Sequence, residues 1–504
     1  MADQLRWDAV GAYGNPVVST PNLDRLAREG VRFGRAYVTN PFCMPSRASI
    51  LTGRWPHAHG LWDNGVRLPP DTPTLATALG ALGYRTAIVG KGHLDVHGAA
   101  DSPDRMAGWD DPALAARWEG RPYYGFQEQR RTNGHNQPAG QYGDFLYREH
   151  PHAVPLMKME NALEPPVGHC WKSALPVELH SSTYVGDNAV EFIRRQASAE
   201  TPFFLWASFP DPHEPFCPPR PYCDMYDPAA MPPPLRRPGE TLDKPPHFRG
   251  EVDGAHPGWR PYGRFSQARE DRSEAEDRYA KALYYGMVSL IDHNVGRILA
   301  ALEETGQLDD TIVVYVSDHG ELLGDHWLYA KGPWHYDACT RVPLMVRYPA
   351  AAPAGRVVDD FVSLADLVPT LCELTGAPYT SWPPGPGDDP GGVPPPGALP
   401  DVQGISLVPA LRGEGPGRSQ VMTEFAWRFV ADLHQKTLRT RDWRITAYAG
   451  RPYGELYDLR EDPDELVNRW DDPALRGVRG ELTAALLDEV MRTESRWPPR
   501  VAPN

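Results

Sequence analysis

The 504-residue chain has no apolar run approaching the roughly 18 residues that a membrane span requires. Its opening residues, MADQLRWDAV, lack the apolar core of a secretory signal. It also lacks basic excess: 51 Lys and Arg stand against 66 Asp and Glu, a formal charge of −15. That balance excludes a general binder of nucleic acid or of anionic membranes, so an anionic substrate must meet a local basic pocket. Cysteine is scarce, with residues 43, 170, 217, 223, 339 and 372 spread along the chain without metal-knuckle spacing. Such usage fits a reduced compartment better than a disulfide framework, with Cys217 and Cys223 open as a pair or as free thiols. No internal repeat is visible. As written, the sequence is expected to be cytosolic.

What is present is an alternation of helix and strand signals. STPNLDRLAREG offers Thr20 as N-cap, Pro21 at the first helical position and Gly30 as a stop. TLATALGALGYRTAIVGKGH reads as a helix, a break at Gly83 and a buried strand over 86–89. The rhythm recurs where VGDNAVEFIRRQAS precedes PFFLWASF, and where AEDRYAKALYYGMVSLIDHNVGRILAALEETG precedes TIVVYVSDHGE. Such units predict an α/β fold: a large mixed, mainly parallel sheet sandwiched by helices, with polar strand ends as the ligand side. A catalytic domain is expected over 1–375, with pocket-shaping insertions at about 94–180 and 214–272. Residues 376–400 are rich in Pro and Gly and predict a linker or loop without regular structure. Short antiparallel strands and a closing helix near 474–494 predict a small α+β subdomain over 401–504.

Cys43 lies in NPFCMPSRASILTGR. A lone free cysteine is ordinarily a small buried apolar residue. Here, however, Cys43, Pro45 and Arg47 followed by Leu51-Thr52-Gly53-Arg54 spell C-x-P-S-R-x-x-x-L-T-G-R. The motif resembles the signature of the type I sulfatases, within the alkaline phosphatase superfamily. The resemblance continues through Lys91 and His93 in GYRTAIVGKGH, His213 in FPDPHEPF, and Asp318, His319 and Lys331 in VVYVSDHGELLGDHWLYAKG. DFVSLADLVPTLCELTG and ELYDLREDPDELVN extend it over essentially the whole chain. It implies that a separate formylglycine-generating enzyme oxidises Cys43 to formylglycine, and that the substrate is a small-molecule or saccharide sulfate ester.

Elementary chemistry asks for these residue types. A sulfate ester is an anion that resists attack by another anion, so its oxygens must be neutralised and a nucleophile held in line. Arg47, Lys91, Lys331 and a divalent cation can do the first. The resemblance implies that the hydrated aldehyde at position 43 attacks sulfur, that His93 deprotonates its spare hydroxyl, and that His213, helped by Lys331, protonates the leaving alcohol. Asn64, in DNG, matches a family position that reaches the sulfate or the nucleophile, although Asn-Gly is equally a turn former.

One divalent cation is expected, held by Asp3, Gln4, position 43, Asp318 and His319. Many family members carry a second acid where this chain has Gln4, and an asparagine where it has His319. Ca²⁺ is the first expectation, but that departure removes negative charge and adds a nitrogen donor, which weakens its claim and makes Mn²⁺ a competitor, with Mg²⁺ also open. Choline sulfatases and phosphonate monoester hydrolases have a similar Gln and His pairing, which keeps phosphonate or phosphodiester hydrolysis open as an alternative. A non-catalytic binder with unmodified Cys43 is a third reading. Relatives also place an apolar strand before the first aspartate, whereas only Met1 and Ala2 precede Asp3. Either Asp3 hangs on a frayed end or translation starts upstream, and the second, which reopens the question of a signal peptide, is the expectation.

Overall fold

The computed structural model describes residues 1–97, 99, 101–104, 120–253, 272–384, 397–415, 417–427 and 433–494. Two sheets lie edge to edge. In the first, β1 (Val31–Tyr37) pairs antiparallel with β6 (Arg341–Arg347) and parallel with β7 (Arg356–Ser363), while β5 (Val313–Val316) pairs antiparallel with β6. In the second, β2 (Arg85–Gly90) lies between β3 (Glu128–Arg131) and β4 (Phe203–Ser208), parallel to both. β3 therefore makes part of the expected insertion at 94–180 a sheet strand.

Residues 1–3 join the two sheets. The Met1 terminal nitrogen donates to Ala207 O at 2.7 Å and Phe209 N–H donates to Met1 O at 2.9 Å. On the other side, Ala2 N–H donates to Val316 O at 3.0 Å and Asp318 N–H to Ala2 O at 3.3 Å. Asp3 is thus pinned, its own N–H donating to Asp211 O at 3.1 Å, and the frayed end considered above is not what forms.

Strand alternation sends successive side chains to opposite faces, and each face has its own core. Ile88, Val316 and Leu344 pack with α2 (Cys43–Thr52), α3 (Leu75–Ala81) and α6 (Leu367–Thr375). Val89, Tyr315 and Met345 pack with α1 (Pro21–Glu29), α4 (Ser181–Gln196) and α5 (Glu274–Glu304). α5 opens with a capping box in which Ser273 and Glu276 satisfy each other's backbone N–H groups. α1 begins at Pro21 as expected, but its cap comes from elsewhere. Thr20 makes no side-chain cap bond, and the Asn22 and Leu23 N–H groups donate to Asp292 Oδ1 of α5 at 3.0 and 2.8 Å.

β8 (Tyr379–Ser381) and β9 (Leu399–Val402) form a short parallel pair within and just beyond the expected linker, so this stretch is not wholly irregular. Residues 385–396 of that linker, and 105–119 and 254–271 of the expected insertions, lie outside the described residues. The C-terminal part forms an antiparallel sheet in sequence order, β10 (Gln420–Trp427), β11 (Leu433–Thr440), β12 (Trp443–Tyr448) and β13 (Gly454–Asp458), packed by α7 (Arg476–Arg492). It grips the segment before α2: Thr423 Oγ1 donates to Val38 O at 2.7 Å, and Phe42 packs edge-on against Phe425.

Candidate active site

The polar residues after β2, β4 and β5 converge with the start of α2. Cys43 is the first residue of α2 and is buried, with Sγ 3.1 Å from His319 Nε2 and 3.6 Å from Asp3 Oδ1. Asp3, Cys43, Asp318 and His319 each point one ligand atom into a space where those atoms lie within 4.8 Å of one another. The tautomer of His319 suits a cation. Its Nδ1 lies 2.8 Å from Gly320 O, which can only accept, so Nδ1 bears the proton and Nε2 presents its lone pair inward. Two carboxylates, a neutral imidazole and the group at position 43 make a donor set that fits a divalent ion.

Arg47, one turn along α2, holds this group together. Its Nε donates to Asp318 Oδ2 at 2.8 Å, NH1 to Lys91 O and Ser208 Oγ at 2.8 and 2.9 Å, and NH2 lies 3.3 Å from Asp3 Oδ2. Burial alone would raise the Asp3 pKa, but Lys91 and Arg47 outweigh it and hold the carboxyl well below the usual range. Burial pushes the Cys43 thiol up to about 11, and the Asp3 charge adds to the effect. Unmodified Cys43 is therefore protonated near neutrality and a poor nucleophile.

Lys91 and Lys331 face each other across the site through two histidines. Lys91 Nζ binds Asp3 Oδ2 and lies 2.9 Å from His135 Nε2. His135 Nδ1 lies 3.2 Å from Pro210 O, so Nε2 is the acceptor for the lysine. The His135 ring stacks on His213 with centroids 3.4 Å apart and planes 8° from parallel. His213 Nδ1 lies 2.7 Å from Glu214 O, leaving Nε2 to take a hydrogen bond from Lys331 Nζ. Burial, then His135 and Lys331, keep His213 well below the ordinary histidine range. His213 is therefore held neutral between the Glu214 carbonyl and the Lys331 ammonium.

The remaining expected residues fall around this core. His93, at φ 60°, stacks on His97 at 4.1 Å, and its buried Nδ1 has no hydrogen-bond partner. Asn64 Oδ1 accepts the Met44 N–H at 3.1 Å, so it anchors the first turn of α2 beside Cys43. Gln4 N–H donates to Asp318 Oδ1 at 3.0 Å, while its side-chain Oε1 accepts from Lys331 Nζ at 2.6 Å and its Nε2 donates to Glu214 and Glu321. Burial and then Glu214 raise the Glu321 pKa.

His135, Glu214 and Glu321 were missed in the sequence, as was Ser208. GHNQ at 134–137, FPDPHEPF at 209–216 and HGE at 319–321 carried local signals for three of them, and nothing in those segments specified a partner. His57, His59, His326 and His335 have structural partners in Glu424, Ser49, Glu240 and Thr437, which agrees with leaving them out. All six cysteines are free thiols, Cys217 and Cys223 included.

A family model described as Sulfatase matches residues 1–377. The arylsulfatase of Clostridium perfringens is 29% identical over 476 residues, covering 93% of this chain and 88% of its own. The multifunctional alkaline phosphatase superfamily protein PehA of Trinickia caryophylli is 30% identical over 495 residues, covering 91% and 87%. In structure, the phosphonate monoester hydrolase of Agrobacterium radiobacter aligns with a TM-score of 0.77 and 29% identity over 98% of this chain and 95% of that one.

Proposed function

The chain belongs to the sulfatase family of the alkaline phosphatase superfamily, and from that premise we propose that it hydrolyses a sulfate monoester, using formylglycine made from Cys43 and one divalent cation. The observation that supports this best is the placing of Cys43 at the start of α2, in a single buried group with Asp3, Asp318 and His319. Those four positions, with Gln4 beside them, would hold the cation, Ca²⁺ in the first place and Mn²⁺ as competitor because of the His319 nitrogen. The cation would polarise an ester oxygen, and the hydrated aldehyde would supply the attacking hydroxyl.

This chain's own side chains do the rest. Arg47, Lys91 and Lys331 bring positive charge to the ester's oxygens, Arg47 and Lys91 also holding the aspartates in place. His213, helped by Lys331, protonates the leaving oxygen: Nε2 takes the ammonium's proton and releases it to the ester once the substrate oxygen displaces the lysine at that nitrogen. His93 Nδ1, buried and unpartnered, accepts the proton of the spare hydroxyl when sulfate departs.

A second reading, phosphonate monoester or phosphodiester hydrolysis, is favoured by Gln4 and His319 and by the likeness to the Agrobacterium radiobacter enzyme. Sulfate, phosphate and phosphonate esters of one leaving alcohol separate the two. The sulfate ester is expected to lead in kcat/KM by at least about tenfold, roughly 1.4 kcal/mol, and the reverse order installs the second reading. Mass spectrometry of the peptide containing position 43 should find an aldehyde. Active enzyme whose position 43 is wholly thiol would overturn the scheme. Cys43→Ala is expected to abolish turnover with the fold retained, and Cys43→Ser to permit at most one covalent event.

A further inference from the structure

His93 lies in the segment after β2 with a left-handed backbone, φ 60°, a conformation that L side chains disfavour and that persists only where the surroundings enforce it. The enforcing group is Asp104, a fully buried carboxylate with four donors. Its Oδ2 accepts the Leu94 N–H at 3.0 Å, the Asp95 N–H at 2.8 Å and the Tyr123 hydroxyl at 2.7 Å, and its Oδ1 accepts Arg131 NH1 at 2.6 Å. The two backbone donors are the amides that directly follow His93, so they fix the chain on its C-terminal side.

Tyr123 and Arg131 tie this carboxylate to the sheet. The Tyr123 oxygen shares the Leu94 N–H at 3.0 Å, and a Cβ on Gly92 would come within 2.6 Å of that oxygen, so the segment before His93 lies flat against the tyrosine. Arg131 ends β3, where the register pairs it with Gly90 of β2, and its guanidinium carbon stands 4.4 Å from the Tyr123 ring centroid. Charge-assisted hydrogen bonds of the Asp104 and Arg131 kind are about twice as strong as neutral ones. Lys91, two residues before His93, is fixed separately: its N–H donates to Ser208 O at 2.9 Å and its carbonyl accepts from Arg47 NH1 at 2.8 Å. Among the described residues, Asp104 bonds to none of the groups that hold the cation or meet the ester.

We propose that Asp104, with Tyr123, is a positioning residue for His93, clamping the chain beyond it so that Nδ1 stays where it takes its proton, and that this clamp governs the release of sulfate but not the attack on the ester. The proposal rests on the role given to His93 above. In the release step the spare hydroxyl gives its proton to His93 Nδ1, its O–H electron pair becomes the aldehyde C=O, and the C–O bond to sulfate breaks with its electrons leaving on sulfate. The attack draws on Arg47, Lys91, Lys331 and His213, none of which Asp104 touches. Loss of the clamp lets residue 93 relax out of the left-handed conformation, which moves the base and leaves the rest of the site in place.

The test compares Asp104→Ala and Tyr123→Phe with wild type and with His93→Ala, each as the full chain with position 43 converted, on 4-nitrophenyl sulfate, or on the matching phosphonate should that ester lead. Asp104→Ala is expected to release a burst of about one phenol per site and then to turn over at least about 30-fold slower than wild type, with kcat/KM within about threefold. Intact mass should show the ester retained on the protein. Tyr123→Phe removes one hydroxyl and keeps the ring, and should show the same split at about 3- to 10-fold in kcat. Hydrogen exchange at the Leu94 and Asp95 amides should quicken by about tenfold or more in both variants, with the Lys91 amide unchanged. Equal falls in kcat and kcat/KM, an unchanged kcat, or unchanged exchange at those amides overturns the proposal. Should Asp104→Ala not fold, Tyr123→Phe decides by the same criteria. His93→Ala separates the clamp from the reading beneath it. A burst in His93→Ala without one in Asp104→Ala overturns the clamp and leaves the base standing, whereas a His93→Ala enzyme without a burst removes His93 from the release step and the clamp with it.

Discussion

Gln4 stands between charges of opposite sign. Its carbonyl oxygen meets Lys331, and its amide nitrogen meets Glu214 and Glu321, so only a group with both a donor and an acceptor satisfies the position. Gln4→Asp restores the acid found in many relatives, yet it sets a third carboxylate against two others. It should destabilise the protein by about 2–4 kcal/mol, and adding Glu321→Gln should recover much of the loss, measured as Tm of the single and double variants. His135 is tested differently. It accepts from Lys91 and stacks on His213, so His135→Ala should cut kcat/KM by about 10- to 100-fold, roughly 1.4–2.7 kcal/mol. His135→Gln, which keeps an acceptor, should restore part of it. Equal losses in both variants would place the effect in the stack instead.

Among the elements, β10 carries the joint between the C-terminal sheet and the catalytic layers. Glu424 accepts the His57 N–H at 2.9 Å, lies 2.8 Å from His57 Nδ1 and pairs with Lys436. Burial would raise its pKa, but Lys436 and His57 overcome this and hold it at about 2, against an ordinary 4.5. A depressed carboxyl stabilises the fold above its unfolded pKa, and that stability drains away as the pH falls from about 4.5 toward 2. Glu424→Gln should therefore cost on the order of 2 kcal/mol at pH 7. The gap from wild type should narrow below about pH 4.5, as read from urea denaturation at a series of pH values. A gap independent of pH would show that the ion pairs contribute nothing.

At the scale of the molecule, a chain of net charge −15 gathers Arg47, Lys91 and Lys331 into one site and sets them against Asp3 and Asp318. Strong chelation is expected to remove activity and to lower Tm, because a cation bound only by the folded state stabilises it by about 2.7 kcal/mol at 100 times its Kd. Adding Ca²⁺ or Mn²⁺ back should restore both. Elemental analysis should find one divalent ion per chain, with none in Asp318→Ala. A chelated enzyme of unchanged rate and Tm would remove the cation from the scheme.

The sequence by itself determined what neighbouring residues can encode: the Cys43, Pro45 and Arg47 spacing, the α/β order, the long capped helix α5 and the polar strand ends that hold Lys91, His213 and Asp318. Helix caps, apolar runs and short motifs act over a few residues, so they survive translation into pattern. Tertiary structure alone decided that Asp292 caps α1 from 270 residues away, that β3 joins the sheet from within a stretch read as an insertion, and that His135 sits on His213. It also decided that the Gln4 side chain bridges Lys331 and two glutamates. Each of these depends on which surfaces meet when helices close over a sheet, and that choice follows from the packing of the whole apolar core and not from any local run of residues.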